Sequence, residues 1–400
     1  MTTDPDEDSF MPFAAAISTA AVTTRAMDEA CTRALEQLPG RPQLAFVFFS
    51  PHHAATAEKI IAVARERLGS PCLLGCSGEA IVGNDREIEE GPALSLWLGH
   101  WAAPVELEPF HLALEETPDG YSLMGWPDGV VTADPARSAI LLLGDPFSFP
   151  TDAFLHQVNE NHAGLRVLGG MASGGRGPGE CRLLLGDHVL DAGAVGALLH
   201  GPVKLRSIVS QGCRPIGRHM VITRAQENII AELGGKPPLV HLQQLWRELG
   251  PQEQKLFQQG LHVGRVINEY QGEFQRGDFL VRNVLGLDQE TGALAITDRV
   301  RVGQTVQFHV RDAATADEDL HALLQMDLNA HERRPSGALL FTCNGRGSRL
   351  FAEPNHDARA VRAEAGDIPL AGFFAQGELG PVGGQNFIHG FTASVVLFED

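Results

Sequence analysis

The apolar stretch Ala45-Phe46-Val47-Phe48-Phe49 and the glycine turn Cys76-Ser77-Gly78-Glu79 belong to one unit of a pattern that occurs three times in this 400-residue chain. In each copy an apolar strand is followed by a helical stretch, a second apolar strand, a glycine turn and a further apolar stretch. The other copies begin with strands at 140–143 and 338–341 and turn at 172–175 and 375–378. Internal repetition of this kind constrains architecture before any single residue does. It predicts strand-end loops that converge, which is where α/β proteins bind ligands.

The predicted fold class is therefore α/β, with two packed domains of mixed β-sheets flanked by helices and with repeated strand-helix-strand units. The further apolar stretches lie at 93–98, 193–199 and 392–398. Gly186-Asp187 between apolar runs predicts a hairpin, and Thr315 to Ala330 predicts a helix with leucines along one face.

Three segments are predicted along the chain. Residues 1–9 are polar and acidic without periodicity, which predicts a disordered tail. The pattern of predicted helices and strands changes between about residues 215 and 235. We therefore divide the remainder into an N-terminal α/β domain at 10–225 and a C-terminal α/β domain at 226–400.

Composition excludes several classes of function. The chain is 44% hydrophobic and 20% charged, as in ordinary globular proteins, and its formal charge of −19 disfavours nucleic acids and anionic membranes. No run reaches the ~20 apolar residues that span a bilayer. The six cysteines lack the spacing of a disulfide framework, which fits reduced thiols and a cytoplasmic location.

Four turns carry the candidate site, because each places polar side chains and free backbone N–H groups at the end of an apolar strand. They are 75–79, 212–215, 343–347 and 376–378. The predicted ligand-binding residues are Cys76, Ser77, Glu79, Cys213, Arg214, Cys343, Asn344, Arg346, Gln376 and Glu378.

The charges within this set predict the kind of ligand. Arg214 and Arg346 suit an anion, with the Arg346 fork able to hold a carboxylate, while Glu79 and Glu378 suit an amine. Together they fit a zwitterion such as an amino acid. We expect the seven charged and cysteine residues of the set to surround one cavity, and Gly78, Gly174 and Gly377 to be equivalent in the three units.

Other interpretations of the same residues stay open. Glycine turns can simply end strands, with the cysteines as small core residues. A cysteine-dependent enzyme would use Cys343 or Cys76 as nucleophile, His389 as base and Glu378 as orienting group, although no Gly-x-Ser-x-Gly elbow supports it. A purely structural interaction protein is the third class.

No metal or cofactor is predicted. The pair His52-His53 lacks an accompanying carboxylate cluster, and Cys72 with Cys76 lacks a second close pair. The glycine-rich run at 169–179 lacks the Gly-Lys-Ser/Thr ending of a phosphate loop, which favours a flexible or ligand-lining loop.

The chain resembles the FIST N- and C-terminal sensory domains from about residue 13 to residue 398. The resemblance rests on 75–79, on Gly169-Gly170-Met171-Ala172, on 341–347 and on 372–379. It implies an intracellular sensor of small ligands, proposed to include amino acids, without an established catalytic mechanism. A signalling protein partner of unknown identity is implied as well, because family members are often fused to output modules.

Overall fold

The computed structural model describes residues 12–69, 72–118, 120–202, 204–274 and 277–399, so the predicted tail at 1–9 lies outside the described residues. The strands are β1 (Phe13–Ser18), β2 (Leu44–Phe49), β3 (Cys72–Ser77), β4 (Ile81–Gly83), β5 (Arg86–Ile88), β6 (Leu94–Gly99), β7 (Glu106–Thr117), β8 (Gly120–Met124), β9 (Ser138–Gly144), β10 (Arg166–Met171), β11 (Leu183–Leu185), β12 (His188–Leu190), β13 (Ala194–His200), β14 (Lys204–Gln211), β15 (Cys213–Gln226), β16 (Ile229–Leu233), β17 (Leu261–Val266), β18 (Phe279–Leu287), β19 (Leu294–Ile296), β20 (Thr305–Arg311), β21 (Gly337–Cys343), β22 (Leu370–Ala375), β23 (Glu378–Val382), β24 (Gln385–His389) and β25 (Thr392–Glu399).

The helices are α1 (Thr23–Leu35), α2 (Pro51–Ala54), α3 (Ala57–Leu68), α4 (Thr151–Asn161), α5 (Pro238–Glu248), α6 (Pro251–Gln259), α7 (Ala313–Ala330) and α8 (His356–Ala365). Short 3₁₀ turns occupy Asp128–Thr132 and Gly347–Arg349. The α/β class with mixed sheets is confirmed, as are the hairpin at Gly186-Asp187 and the helix predicted at 315–330.

The chain forms two compact units. The first contains residues 12–209, 321–388 and 392–399, and the second contains 210–320 and 389–391. The C-terminal strands β21, β22 and β25 thus belong to the same unit as the N-terminal strands. The division at residues 225 and 226 stays a prediction about sequence modules, since the compact units are assembled from separate parts of the chain.

Three sheets in the first unit correspond to the three predicted repeats. Each is built on a parallel pair joined by a helix, namely β2 with β3, β9 with β10, and β21 with β22. The antiparallel strands β6, β13 and β25 then pair with β2, β9 and β21. The predicted strand-helix-strand repetition is therefore confirmed.

The hairpins of the three repeats are exchanged in a cycle. The hairpin β4–β5 of the first repeat pairs with β22 of the third, and β11–β12 of the second pairs with β3 of the first. The strand β23 of the third repeat pairs with β10 of the second. Each sheet is thus completed by another repeat, and the turns between returning strands and hairpins lie together.

Aromatic residues form the core between sheets of the first unit. Phe48 on β2 stacks on Phe373 of β22 with ring centroids 5.2 Å apart, and Trp97 on β6 lies 4.7 Å from Phe398 of β25. Helices α1 and α3 cover the other face of the first sheet with alanine, isoleucine and leucine side chains. Buried aromatic pairs of this kind add to the free energy of simple apolar burial.

The second unit contains a closed barrel of six strands. The strand order is β15-β16-β19-β18-β17-β20, and branched apolar residues such as Ile222, Ile230 and Val310 form its core. Closure could not be predicted from the sequence, because alternating short strands indicate pairing without indicating whether the last strand closes on the first.

Pairing register identifies the equivalent positions of the three returning strands. The N–H groups of Ser77, Met171 and Phe374 each bond the residue just before the incoming hairpin. Gly78 then lies one residue beyond this point, whereas Gly174 and Gly377 lie three residues beyond it. The predicted equivalence of these three glycines is therefore wrong by two residues for Gly78.

The truly equivalent glycines are Gly75, Gly169 and Gly372, each two residues before the residue whose N–H bonds the incoming chain. A Cβ atom on them would lie 2.4 Å from the Val47 carbonyl oxygen, 1.9 Å from that of Leu142 and 1.8 Å from that of Leu340. Each carbonyl belongs to the parallel partner strand. Glycine is required because the two backbones approach too closely for any side chain.

We expect Gly372→Ala to destabilise the first unit by about 1–3 kcal/mol or more, because the added methyl group overlaps a backbone carbonyl that cannot move alone. Gly177→Ala is the matched control in the same unit, since its nearest neighbour would be a side-chain oxygen at 3.9 Å. Urea denaturation measures both. Equal midpoints for the two variants would contradict the close-approach argument.

Candidate functional site

Arg346, in the loop after β21, is fully buried and forms a double ion pair with Asp357. Its Nε donates to Oδ2 of Asp357 at 2.7 Å, and its Nη2 donates to Oδ1 at 2.8 Å. Asp357 lies in the first turn of α8, the helix of the third repeat. The chain therefore brings a strand-end loop and a helix start together through one charge pair.

Asp357 is held in its ionised form by its surroundings. Burial alone would raise its pKa, but the charge and hydrogen bonds of Arg346 hold the pKa well below its usual range. Thr342 Oγ1 also donates to Oδ2 at 2.5 Å, and Nδ1 of His356 lies 2.9 Å from Oδ1. A buried carboxylate with this many donors is stable as an anion.

Aromatic stacking fixes the plane of the guanidinium. Its carbon lies 5.2 Å from the centre of the Phe351 ring, and Phe351 in turn stacks on His356 with centroids 3.4 Å apart. The remaining nitrogen, Nη1, is buried and has no hydrogen-bond partner in the part of the chain that the structure describes. The arginine thus presents one oriented, unused donor.

Glu378, the first residue of β23, is a second buried charged group near Arg346. Its Oε2 accepts hydrogen bonds from the N–H and hydroxyl of Thr392 at 3.2 and 2.7 Å. Burial raises the pKa of Glu378 to about 8, although Thr392, Arg346 and Cys343 act in the opposite direction. Its Oε1 is buried without a partner among the described residues.

Cys343 and Asn344 complete this group of residues. The half-buried Cys343 thiol interacts with both Glu378 and Arg346. The Oδ1 atom of Asn344 is buried and lacks a partner among the described residues. The loop and β23 therefore carry three unused polar atoms, one a donor, one an acceptor and one a carboxyl oxygen that serves as either.

Carboxylates from the N-terminal half hold the same loop. Glu79 pairs with Arg349, and Glu89 accepts from the N–H and hydroxyl of Ser348 at 2.9 and 2.6 Å. The buried Glu87 on β5 accepts from the N–H of Ala358 in α8 at 2.8 Å. These contacts follow from the exchange of the β4–β5 hairpin, because β5 lies at the edge of the third sheet.

The other predicted residues of the first unit lie in three different environments. Cys76 is completely buried in the core, and burial raises the pKa of its thiol well above the ordinary value. Ser77 Oγ donates to the Ser173 carbonyl at 3.2 Å, whereas the Gln376 side chain is exposed. The Ser173 hydroxyl, which sequence reasoning missed, donates to the Phe374 carbonyl and accepts from the Glu79 N–H at 2.7 Å.

Cys213 and Arg214 belong to the second unit. Cys213 is buried, and Arg214 contacts Glu253 and Asp312 at 3.1 and 3.2 Å. Their role in ligand binding stays a prediction. His389 is also part of the second unit, where it is buried.

Two expectations about the site require correction. The Arg346 fork was predicted to hold a ligand carboxylate, but Asp357 occupies it, so only Nη1 can reach a ligand. Glu79 was predicted to hold an amine, yet it pairs with Arg349. Neither the cavity of about 370 Å³ nor that of about 290 Å³ is lined by the predicted residues.

Asp357, Thr342, Phe351 and Thr392 were missed by sequence reasoning. The one local signal was an acidic residue in the first turn of a helix, which is favourable for the helix by itself. No cluster of three or more His, Cys, Asp or Glu residues able to hold a metal occurs in the described ranges. Among the helices of the described residues, none has the length and apolar character to traverse a bilayer.

The fold defines an α/β protein of three repeated units with exchanged hairpins, accompanied by a β-barrel unit. Residues 43–236 match the family model of the FIST N domain, and residues 241–381 match that of the FIST C domain. The chain belongs to the FIST family, whose domains are associated with signal transduction and small-ligand sensing.

Mycobacterial proteins are among its relatives. The chain is 43% identical over 385 residues to "Uncharacterized protein Rv0628c" of Mycobacterium tuberculosis, covering 96% of this chain and 98% of the relative. It is 42% identical over 373 residues to "Uncharacterized protein Mb0898c" of Mycobacterium bovis, covering 93% and 95%.

We expect Asp357→Asn to cost about 3–5 kcal/mol of unfolding free energy, because it leaves the buried Arg346 cation without its counter-charge. Asp187→Asn, in the exposed turn between β11 and β12, is the control. Urea denaturation followed by circular dichroism compares them. A loss no larger than that of the control would mean that the ion pair does not hold the loop.

The raised pKa of Glu378 predicts how the free energy of unfolding depends on pH. Because its pKa is raised in the folded state to about 8, its neutral form stabilises the fold at low pH, and that contribution is lost as the pH rises through about 8. Between pH 5 and pH 8, the wild type should lose up to about 4 kcal/mol relative to Glu378→Gln. Urea midpoints at several pH values measure the difference, with Glu66→Gln on the exposed side of α3 as control.

Proposed function

We propose that this chain is a cytoplasmic sensor that reversibly binds a small polar metabolite of the amino-acid class and passes the signal to a protein partner. The observation that carries the proposal is a set of three buried polar atoms that no described residue pairs. Arg346 Nη1 and Glu378 Oε1 belong to two interacting charged residues, and Asn344 Oδ1 comes from the same loop, two residues before Arg346. Buried polar atoms are normally paired, so a ligand that pairs all three at once gains affinity and specificity.

The atom types suit an α-amino acid. Its carboxylate would accept from Arg346 Nη1, and its ammonium group would donate to Glu378 Oε1 and Asn344 Oδ1. Asp357 already balances the charge of Arg346. The positive charge of the ligand's ammonium group must therefore be balanced by Glu378 in its ionised form. Binding would therefore release the proton that Glu378 holds near neutral pH.

The contacts of the loop supply a route for the signal. Arg349 and Ser348 follow the binding residues directly and are held by Glu79 and Glu89 of the N-terminal half. A ligand that repositions the loop would change these exposed contacts, which a partner can recognise. The cytoplasmic assignment is supported by the six cysteines, which form no disulfide with one another and suit a reducing compartment.

We expect a thermal-shift screen to find an amino acid that raises the unfolding temperature, since a ligand of the folded state stabilises it by mass action. Matched amines without a carboxylate and acids without an amine should have smaller effects. For the ligand found, Glu378→Gln and Asn344→Ala should each weaken binding at least tenfold in calorimetry, whereas Glu66→Gln should leave it unchanged. Calorimetry in buffers of different ionisation enthalpy measures the released proton.

Two results would contradict the proposal. Unchanged affinity in both Glu378→Gln and Asn344→Ala would place the ligand elsewhere. A product assay with the same ligand tests the enzyme alternative: turnover that disappears in Cys343→Ser while binding persists would make Cys343 a nucleophile.

A further inference from the structure

The middle of the first unit is strongly acidic. From residue 87 to residue 136 the chain contains no lysine or arginine, whereas glutamate and aspartate occur throughout. This segment includes β7 and β8 at one end of the seven-stranded sheet. A local excess of one charge attracts partners of the opposite sign and repels copies of itself.

β7 and β8 form a ribbon that continues past the rest of the sheet. Residues 106–112 of β7 pair with β13, and residues 113–117 pair with β8. β8 is the last strand in the sheet order, so its outer edge has no strand beside it in the described part of the chain. A two-stranded ribbon has marginal stability in water, and a free edge offers backbone donors and acceptors for another strand. One acceptor of β8, the Leu123 carbonyl, is already bonded by the Trp126 indole N–H at 3.0 Å.

The ribbon also exposes apolar side chains. Tyr121 is 73% exposed, Met124 46% and Leu114 43%. Natural edge strands are usually protected by lysine, proline or a cover, but β8 has neither residue, and its positions other than Leu123 are exposed. By contrast β1, another uncharged edge strand, is buried along its whole length.

We propose that β8 is the docking edge for an extended basic segment of a partner protein, in which apolar residues alternate with lysine or arginine and which adds to the sheet as a further strand. Backbone hydrogen bonds would supply affinity, and alternate side chains would supply specificity. On one face, Leu114 lies opposite Leu123 and Glu116 lies opposite Tyr121. That face therefore offers both apolar contact and a carboxylate.

The negative charge of the β7–β8 ribbon favours a basic partner segment over a second copy of this chain. Two copies paired through β8 would bring together two ribbons whose β7 strands carry Glu115 and Glu116 and which contain no lysine or arginine, and this shared negative charge opposes their association. A basic strand beside β8 instead places its lysine or arginine side chains one strand away from these carboxylates, where opposite charges attract. Further along β7, Glu106 lines the cavity of about 370 Å³, whereas both oxygens of Glu108 already accept from the N–H groups of Asp128 and Gly129.

The test uses the full chain and a fluorescein-labelled peptide of alternating lysine and valine, about nine residues long, the length of an ordinary strand. Control peptides carry glutamate in place of lysine, or proline at the central valine. Fluorescence anisotropy gives the affinity of each, and amide hydrogen exchange locates the bound peptide. We expect the lysine peptide to bind at least tenfold more tightly than either control and to slow exchange at 120–124.

The matched protein variants separate docking from general attraction to an acidic protein. Glu115→Lys with Glu116→Lys should weaken binding of the lysine peptide at least tenfold. Glu58→Lys with Glu66→Lys makes the same charge change on α3 and should weaken it less than twofold. If the first pair fails to fold by circular dichroism, Glu115→Gln with Glu116→Gln is measured instead, with a loss in the same direction of at least threefold expected.

Three outcomes would overturn the proposal. Equal losses in the two charge-reversed pairs would indicate non-specific attraction. Unchanged hydrogen exchange at 120–124 would place the peptide elsewhere. Concentration-dependent dimerisation in sedimentation that Tyr121→Asp abolishes would make a second copy the occupant of β8.

Discussion

The close approach of parallel strands at Gly75, Gly169 and Gly372 is the constraint on which the first unit depends. At each position the backbone carbonyl of the partner strand occupies the space of a Cβ atom, so no larger residue can keep the two strands in place. Two residues later, the N–H groups of Ser77, Met171 and Phe374 bond the chain that leads into another repeat's hairpin. The three sheets are thereby linked at their loop ends rather than standing as separate modules.

The loop that carries Arg346 is held in place by this linkage between repeats. A fully buried guanidinium is costly unless its charge is balanced and its donors are satisfied, and Asp357 meets most of that need. Glu87 and Glu89 come from the hairpin of the first repeat and hold the helix start and the loop. The site is thus rigid on the Asp357 side and unsatisfied at Nη1, a combination that suits selective binding of a polar ligand.

Much of this arrangement could be predicted from local patterns. The apolar strands, the hairpin at Gly186-Asp187 and the helix ending at Ala330 follow from periodicity and turn residues, because those signals act between residues that are close in the sequence. The predicted equivalence of Gly78, Gly174 and Gly377 was wrong because the three turns have similar residues but different lengths. Equivalent positions are defined by the hydrogen-bond register of the returning strands, which the similarity of the turn sequences does not indicate. The predicted role of the Arg346 fork was wrong because an arginine in a loop does not indicate which carboxylate it will meet.

The sequence by itself determined the repeated units, the α/β class and the polar character of the strand-end loops, since hydrophobic period and turn chemistry are local properties. Only the tertiary structure decided that hairpins exchange between repeats, that the strands between Cys213 and Arg311 close into a barrel, and that Asp357 rather than a ligand fills the Arg346 fork. These outcomes depend on contacts between residues distant in the chain. Many pairings satisfy the same local preferences, and burial of charge and close packing select one among them.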